Sequence, residues 1–479
     1  MNFCLLIARG AGSTWLSTCG SGLLPTISRP DGRSSGAPEG RAAAGPARRA
    51  HIIRDSPWRL VGSGLVFLMA LARAQYAPSS VTSFDRSVLR SMVHAADQLL
   101  RARNYAAAES AYAEVLARDS TSIPALVGLS RTLLTSPNPR RSRTEALTRL
   151  QQANALSRSN PTLLTLYGEA LLPWRLGVAP DTDPSRLHEA EQYFRQALAL
   201  SPDHAQANIG LHLALLAQGR AQAAETCLSA LARSDYFPRL VQDFAYDLLI
   251  SVDSGGILFT NGDLDTYSVL ALQAEPGIRR DVLVVNVSLL RLEWYLRYLR
   301  QERGLGIAIP RLTPGTVRLE LARAIDAIIA GSGRTRGIFF ALTVDRKILD
   351  RLKPRLSLEG LVYRVTEQAP DIPTNLSRCR ENLTRRYRIP DFLSADKPRP
   401  MADDIDALGS SLAAALFGLA DACRVANRVS EAAGYLRHAC SILIAVGRWS
   451  GFERVLEYWL KVTPHDPDAL RLKRDYYGK

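Results

Sequence analysis

Asn261, Gly262, Asp263, Asp265 and Thr266 crowd together directly after the apolar run Gly256–Thr260. Two carboxylates one residue apart can share a divalent cation held against phosphate oxygens, as Asp-x-Asp loops do in many nucleotide-sugar transferases. The open amides of a helix starting here offer a second chemistry, the binding of an anion or of sugar hydroxyls. Asn286 and Ser288 close a second apolar run, Asp281–Asn286, while Thr343, Asp345 and Arg346 stand at the end of a third, Gly337–Val344. The candidate ligand-binding set is therefore Asn261, Gly262, Asp263, Asp265, Thr266, Asn286, Ser288 and Asp345. Asp263 and Asp265 are the candidates for a metal, and no catalytic residue is identified. A structural role accounts for the same residues. Asn261-Gly262 is a turn dipeptide, Asp265 or Thr266 can accept the free amides of the next helix, and Asn286 can cap a helix over Leu289–Glu302.

The elements that must position these groups change period at Ile257. Gly256–Thr260, Asp281–Asn286, Gly337–Val344 and Gly360–Val365 are short runs rich in Val, Ile, Leu, Phe and Tyr, of buried-strand length. Helical patterns over Thr266–Glu275, Leu289–Glu302 and Thr316–Ala330 lie between them. This alternation predicts a small parallel sheet in a Rossmann-like α/β domain spanning residues 251–370, and such sheets bind ligands at the carboxyl ends of their strands.

Helical hairpins flank this domain. From residue 87 to 250 a small residue recurs with partners four and seven positions on, which places all three on one helix face where a neighbouring helix can approach closely. The sets are Ala108, Tyr112 and Val115; Ala146, Leu150 and Ala153; Ala190, Phe194 and Ala197; Ala223, Cys227 and Ala230. Gly128, Gly168 and Gly210 fall on the helices that precede the last three sets. The pattern resembles the tetratricopeptide repeat. Its spacing is uneven, and the third unit has room for a loop over Gly177–Ser185. Residues 371–403 read as an irregular linker. Residues 404–479 read as further helical hairpins, with Phe452, Leu456, Trp459 and Pro464 again at offsets of four, seven and twelve.

The formal net charge is +14, but residues 1–74 hold nine Arg against Asp31, Glu39 and Asp55, or +6, leaving +8 for the rest. Arg is scattered rather than striped, so no nucleic-acid site is expected. Arg59–Ala74 has a basic flank, an apolar core shorter than a membrane span, and Ala72 and Ala74 in the positions a signal peptidase reads. A secreted, periplasmic protein cleaved after Ala74 is expected, with no integral membrane segment left and with residues 1–56 a long leader or a start placed too far upstream. Of the cysteines after Ala74, Cys423 and Cys440 could bridge adjacent helices, and buried free thiols are the alternative. GxGxxG, GxxxxGK[ST], GxSxG and HExxH are all missing, and no cofactor is indicated. The His residues lie away from the strand ends, which leaves a histidine acid/base mechanism without support.

The segments ILFTNGDLDT (257–266), GIRRDVLVVNVSLL (277–290), FFALTV (339–344) and LEGLVYRV (358–365) resemble the soluble part of a bacterial membrane-protein family of uncharacterised function, domain of unknown function 2723, related to protein O-mannosyltransferases. The resemblance covers roughly residues 244–425. Leu264 replaces the second Asn of the family's NGDNDT, and Ser268-Val269-Leu270 replaces a Pro-Leu-Trp-like run. Family members carry a multi-span membrane half that would hold the transferase chemistry, and this sequence shows none. The resemblance therefore implies an accessory domain rather than a catalytic one. Together these observations predict a non-enzymatic interaction or scaffold protein in envelope or glycan assembly. Its repeats would bind a peptide or an envelope protein, and a glycan is a further possible ligand. The alternative is a soluble glycan- or nucleotide-sugar-binding domain, or a glycosyltransferase-related enzyme, using the Asn-Gly-Asp-x-Asp-Thr loop.

Overall fold

The computed structural model describes residues 83–135, 139–157, 159–172, 184–307, 321–333, 335–389, 391–393 and 401–477. The leader, the signal segment with its Ala74 cleavage position, residues 177–183 of the third-unit loop and residues 394–400 of the expected linker lie outside them. The chain divides into two compact units, and the repeats from residue 92 on, the sheet and the C-terminal hairpins belong to the same one.

The repeat region runs as paired helices: Ser83–Arg101 with Tyr105–Arg118, Ile123–Thr135 with Pro139–Leu156, Pro161–Leu171 with Pro184–Leu200, and Ala205–Ala217 with Ala221–Arg233. Side chains of Asn104, Asn160 and His204 stop the chain before three of these helices by accepting the amides of Ala107, Leu163 and Ala207. The seam between helices is built from size complementarity. A Cβ on Gly128 would lie 2.3 Å from the Tyr112 ring, and Cβ atoms on Gly168 and Gly210 would lie 2.8 and 2.4 Å from the Phe194 ring. Each large residue of the pattern thus fills the gap left by a glycine on a neighbouring helix.

The first three sets are fully buried, as their spacing predicts. The fourth is shifted by one residue. Ala224, Leu228 and Leu231 occupy the seam beside Cys227, while Ala223 and Ala230 are only half-buried. The sequence AQAAETCLSALA offers two frames at offsets of four and seven, and the frame adopted removes two leucines from water instead of two alanines.

The helix Arg239–Ser251 follows the repeats and leads into the sheet. β1 (Ile257–Thr260), β2 (Leu283–Asn286), β3 (Ile338–Ala341), β4 (Leu356–Leu358) and β5 (Val362–Val365) are ordered β2-β1-β3-β5-β4. β1 pairs parallel with both β2 and β3, in register Ile257 to Leu283 and Ile257 to Ile338. The Phe259 and Phe340 rings stack across β1 and β3 at 4.4 Å. The expectation of an all-parallel sheet is corrected at the far edge, where β5 runs antiparallel to both β3 and β4. The cause is local. Leu356–Leu358 is a strand that sequence reading passed over, and it joins β5 through Glu359–Leu361, with Gly360 at φ +93. A link this short can only make a hairpin. Residues Leu376–Glu381 form a helix, and Asn382–Arg386 a π-helical turn, so that part of the expected linker is ordered.

The helix Asp263–Ala274 packs against Ala221–Arg233 and Arg239–Ser251, and Glu293–Gln301 packs against Ala205–Ala217, so the sheet domain continues the stack of hairpins. Leu321–Ser332 is a further helix of the domain. Ala402–Val425 with Val429–Ala445 and Trp449–Val462 with Pro467–Tyr477 complete the chain, with Phe452, Leu456 and Trp459 fully buried. Ala402–Val425 has the length and hydropathy of a membrane span, yet 61% of its apolar window is buried inside the protein. Gly418 of this helix lies against Leu358 of β4, where an added Cβ would come within 2.2 Å of Cδ2. Cys227, Cys379, Cys423 and Cys440 are all buried free thiols, so no Cys423–Cys440 bridge is present.

Candidate functional site

At the end of β1 the chain turns through Asn261 and Gly262, and Gly262, in an extended conformation, is the N-cap of Asp263–Ala274. The helix therefore starts three residues before the expected Thr266. Asp265 sits at its third position and reaches back over the turn rather than capping forward. One carboxylate oxygen, Oδ1, accepts the Gly262 amide at 2.7 Å, and Oδ2 accepts the Asn261 amide at 2.9 Å together with the Thr343 hydroxyl from beyond β3. Asp265 is 3% exposed. Burial pushes its carboxyl above the ordinary range, against the pull of the donors around it.

Thr266 and Thr260 share a hydroxyl hydrogen bond of 2.8 Å, and Asn286 Nδ2 donates to Thr266 Oγ1 at 3.0 Å. Asn286 Oδ1 accepts the Ser288 amide at 2.8 Å, an Asx turn just ahead of the single turn Leu289–Arg291, so Asn286 does not cap the longer helix as the sequence suggested. That helix begins separately at Glu293. The Ser288 hydroxyl donates to the Asn261 carbonyl at 3.1 Å, and the Asn286 amide donates to the Tyr295 hydroxyl at 3.0 Å. Asn261, Gly262, Asp265, Thr266, Asn286 and Ser288 thus belong to one network across the ends of β1, β2 and β3. Asp345 stands apart, its carboxylate accepting the Lys347 amide at 3.0 Å as N-cap of Arg346–Leu349.

Asp263 belongs to a different neighbourhood. Its charge acts on Tyr236 and on Asp404 at the start of the long C-terminal helix. The Tyr236 hydroxyl accepts Gln206 Nε2 at 2.6 Å, and burial first, then Asp263, raises the phenol's pKa. Burial first, then the Asp263 charge, pushes the Asp404 carboxyl up to about 6. Among the described residues no three metal-binding side chains come together. A cavity of about 400 Å³ opens at the opposite end of the sheet, lined by Thr335, Arg336, Arg364 and Thr366.

The titration of Asp404 has a definite sign. Its folded pKa lies above the usual value of 3.8, so it contributes stability in acid that is lost as pH rises from about 4 to about 6. Asp263→Asn removes the opposing charge, and the upper end of that decline should move to lower pH. In Asp404→Asn that contribution should vanish, leaving the shallower decline that the other raised carboxyls, Asp247 and Asp265, supply. Melting temperatures between pH 4 and 7 separate the two variants.

Sequence reasoning found the strand-end residues because clustered Asn, Asp and Thr after an apolar run are visible in one dimension. Gln206, Tyr236 and Asp404 gave no such signal, since they come from a repeat helix, from the turn before Arg239–Ser251 and from the C-terminal helix, all distant in the chain.

Residues 241–313 match the family model of TMEM260-associated domain 2, and residues 183–243 match a tetratricopeptide repeat model. No curated protein matches the chain in sequence. Among solved structures it is similar to a crystal structure of MamA, at 19% identity over 38% of this chain and 94% of that one, with a TM-score of 0.25. TTC0263, a tetratricopeptide repeat protein of Thermus thermophilus, is 17% identical over 50% and 99%, with a TM-score of 0.30. YrrB, described as a tetratricopeptide repeat protein with an unusual peptide-binding site, is 14% identical over 42% and 90%, with a TM-score of 0.25.

Proposed function

We propose that this chain is a secreted, periplasmic scaffold whose tetratricopeptide-type hairpins hold a peptide or an envelope protein during cell-envelope or glycan assembly. The observation that carries the reading is the glycine–aromatic seam, Tyr112 on Gly128 and Phe194 between Gly168 and Gly210, in a region that includes the repeat match over 183–243. Such seams stack hairpins into an extended surface, which suits recognition of a partner chain better than small-molecule chemistry. Arg131, exposed on Ile123–Thr135, is one contact such a partner can use.

The second reading rests on the Asn-Gly-Asp-x-Asp-Thr loop, which lies inside the match to TMEM260-associated domain 2. It makes the sheet domain a glycan- or nucleotide-sugar-binding unit with kinship to O-mannosyltransferase-like proteins, with Asp263 as the loop carboxylate it would use.

A peptide array probed with the full chain, run beside a thermal-shift screen with divalent cations, nucleotide sugars and glycans, decides between them. Saturable peptide binding that Arg131→Glu weakens at least tenfold and Asp263→Ala leaves intact is the expected result. A thermal shift with a sugar ligand, lost in Asp263→Ala, would replace the first reading with the second.

A further inference from the structure

Asp247 lies on Arg239–Ser251, the helix that joins the repeats to the sheet, and is completely inaccessible to solvent. Its two carboxylate oxygens accept successive backbone amides of a distant segment, Arg388 at 2.7 Å and Ile389 at 3.2 Å. Ile389 has φ +45, a left-handed conformation that a β-branched residue rarely adopts, so these two bonds hold a backbone that would otherwise relax. One turn further along the helix, Ser251 Oγ and the Tyr387 hydroxyl are 2.6 Å apart, and the same hydroxyl accepts the Leu361 amide at 2.9 Å. Residues 387–389 thereby fasten three things together: the last helix of the array, the β4–β5 hairpin, and the path toward the C-terminal hairpins.

The charge around Asp247 does not favour its ionised form. The Arg388 guanidinium, whose charge acts on Asp247, lies over the Tyr246 ring at 3.6 Å and contacts Asp243 at 3.5 Å, and among the described residues no cation forms an ion pair with Asp247. Asp243, one turn earlier on the same helix, is a like charge, itself bound by Arg239 at 3.0 Å. Tyr387 faces Asp247 from the distant segment and is neutral at ordinary pH because burial raises its phenol.

We propose that residues 387–389 and Asp247 form a proton-linked clasp, closed when the buried carboxyl carries a proton and released toward the open form as it ionises. A neutral carboxyl keeps its carbonyl oxygen on the shorter Arg388 bond. An ionised one places a charge in a buried site beside Asp243, offset only by the two amides and by the Arg388 guanidinium, which is itself engaged with Asp243. Consistent with this, burial pushes the Asp247 carboxyl up to about 7, with the two amides pulling the other way.

The sign follows from linkage. The closed form binds the proton with a pKa of about 7 and an exposed Asp titrates near 3.8, so opening releases a proton between those values. The opening constant rises about tenfold per pH unit from roughly pH 5 to 7 and levels off above that. Hydrogen exchange of the full chain, corrected for intrinsic rates, reads this directly at the amides of Arg388 and Ile389. Protection should fall about tenfold per unit from pH 5 to 7 in the wild type. It should lose that slope in Asp247→Asn, and in Asp243→Asn it should level off at a lower pH. Protection independent of pH in the wild type, or an unchanged slope in Asp247→Asn, overturns the proposal. Should Asp247→Asn not fold, an unmoved plateau in Asp243→Asn would overturn it equally.

Discussion

Asp265→Ala should lower the stability of the folded chain by about 3–5 kcal/mol, the largest effect expected of any substitution at the strand ends. Three donors converge on this carboxylate: the Asn261 amide, the Gly262 amide and the Thr343 hydroxyl. The site is dry, and each orphaned buried donor costs about 1–3 kcal/mol. The Thr343 hydroxyl can rotate to another acceptor more easily than the amides can, which keeps the total below three full penalties. Asp265→Asn should lose less, because its amide oxygen still serves one side of the turn while its NH₂ meets a second donor. Urea unfolding gives the magnitudes, and hydrogen exchange at Asn261 and Gly262 tells where the loss falls. A change under about 1 kcal/mol in Asp265→Ala would mean that water satisfies these amides and that the loop is more open than its 3% exposure at Asp265 implies.

The same residue shows where sequence reading was informative and where it stopped. An apolar run followed by Asn-Gly and two Asp is visible because strand, turn and helix start each impose a composition of their own. The direction in which Asp265 would turn was not visible. At the third helical position a carboxylate can point forward to the helix amides, toward solvent, or back over the turn, and the choice was made by Thr343, which lies 78 residues away in sequence. Asp263, two residues earlier, was directed by the same helical rotation toward Tyr236 and Asp404 instead. Spacing in sequence suggested two carboxylates acting together, and a helix turns residues at that spacing away from each other.

The strand order illustrates the same limit in the backbone. Parallel pairing of β1, β2 and β3 followed from alternating strands and helices. The reversal at β5 depended on Leu356–Leu358, a three-residue strand with no period long enough to register. Repeat seams were the most legible feature, since close helix contact demands a small residue at fixed offsets. The one slip came at Ala223 and Ala224, where adjacent alanines satisfy the rule equally and only the leucines beyond them break the tie.

Phe194→Ala should destabilise the array by about 3–5 kcal/mol, because the ring is fully buried and the two glycines against it have no side chain to fill the space it leaves. The ring lies between two glycines, Gly168 on one helix and Gly210 on another, each closer to it than a Cβ would allow. That geometry makes a sharper prediction than the single loss. Gly210→Ala alone should also destabilise, since its new methyl would lie 2.4 Å from the Phe194 ring and the helices must part to admit it. Phe194→Leu alone leaves a smaller void at the same place. Combined, the added methyl occupies part of the space the ring gave up, so the double variant should be more stable than the sum of its parts by about 0.5–3 kcal/mol. Strict additivity in urea unfolding would show that Phe194 and Gly210 do not share one packing volume, and the size-complementary seam would then be a coincidence of spacing rather than what holds consecutive hairpins together.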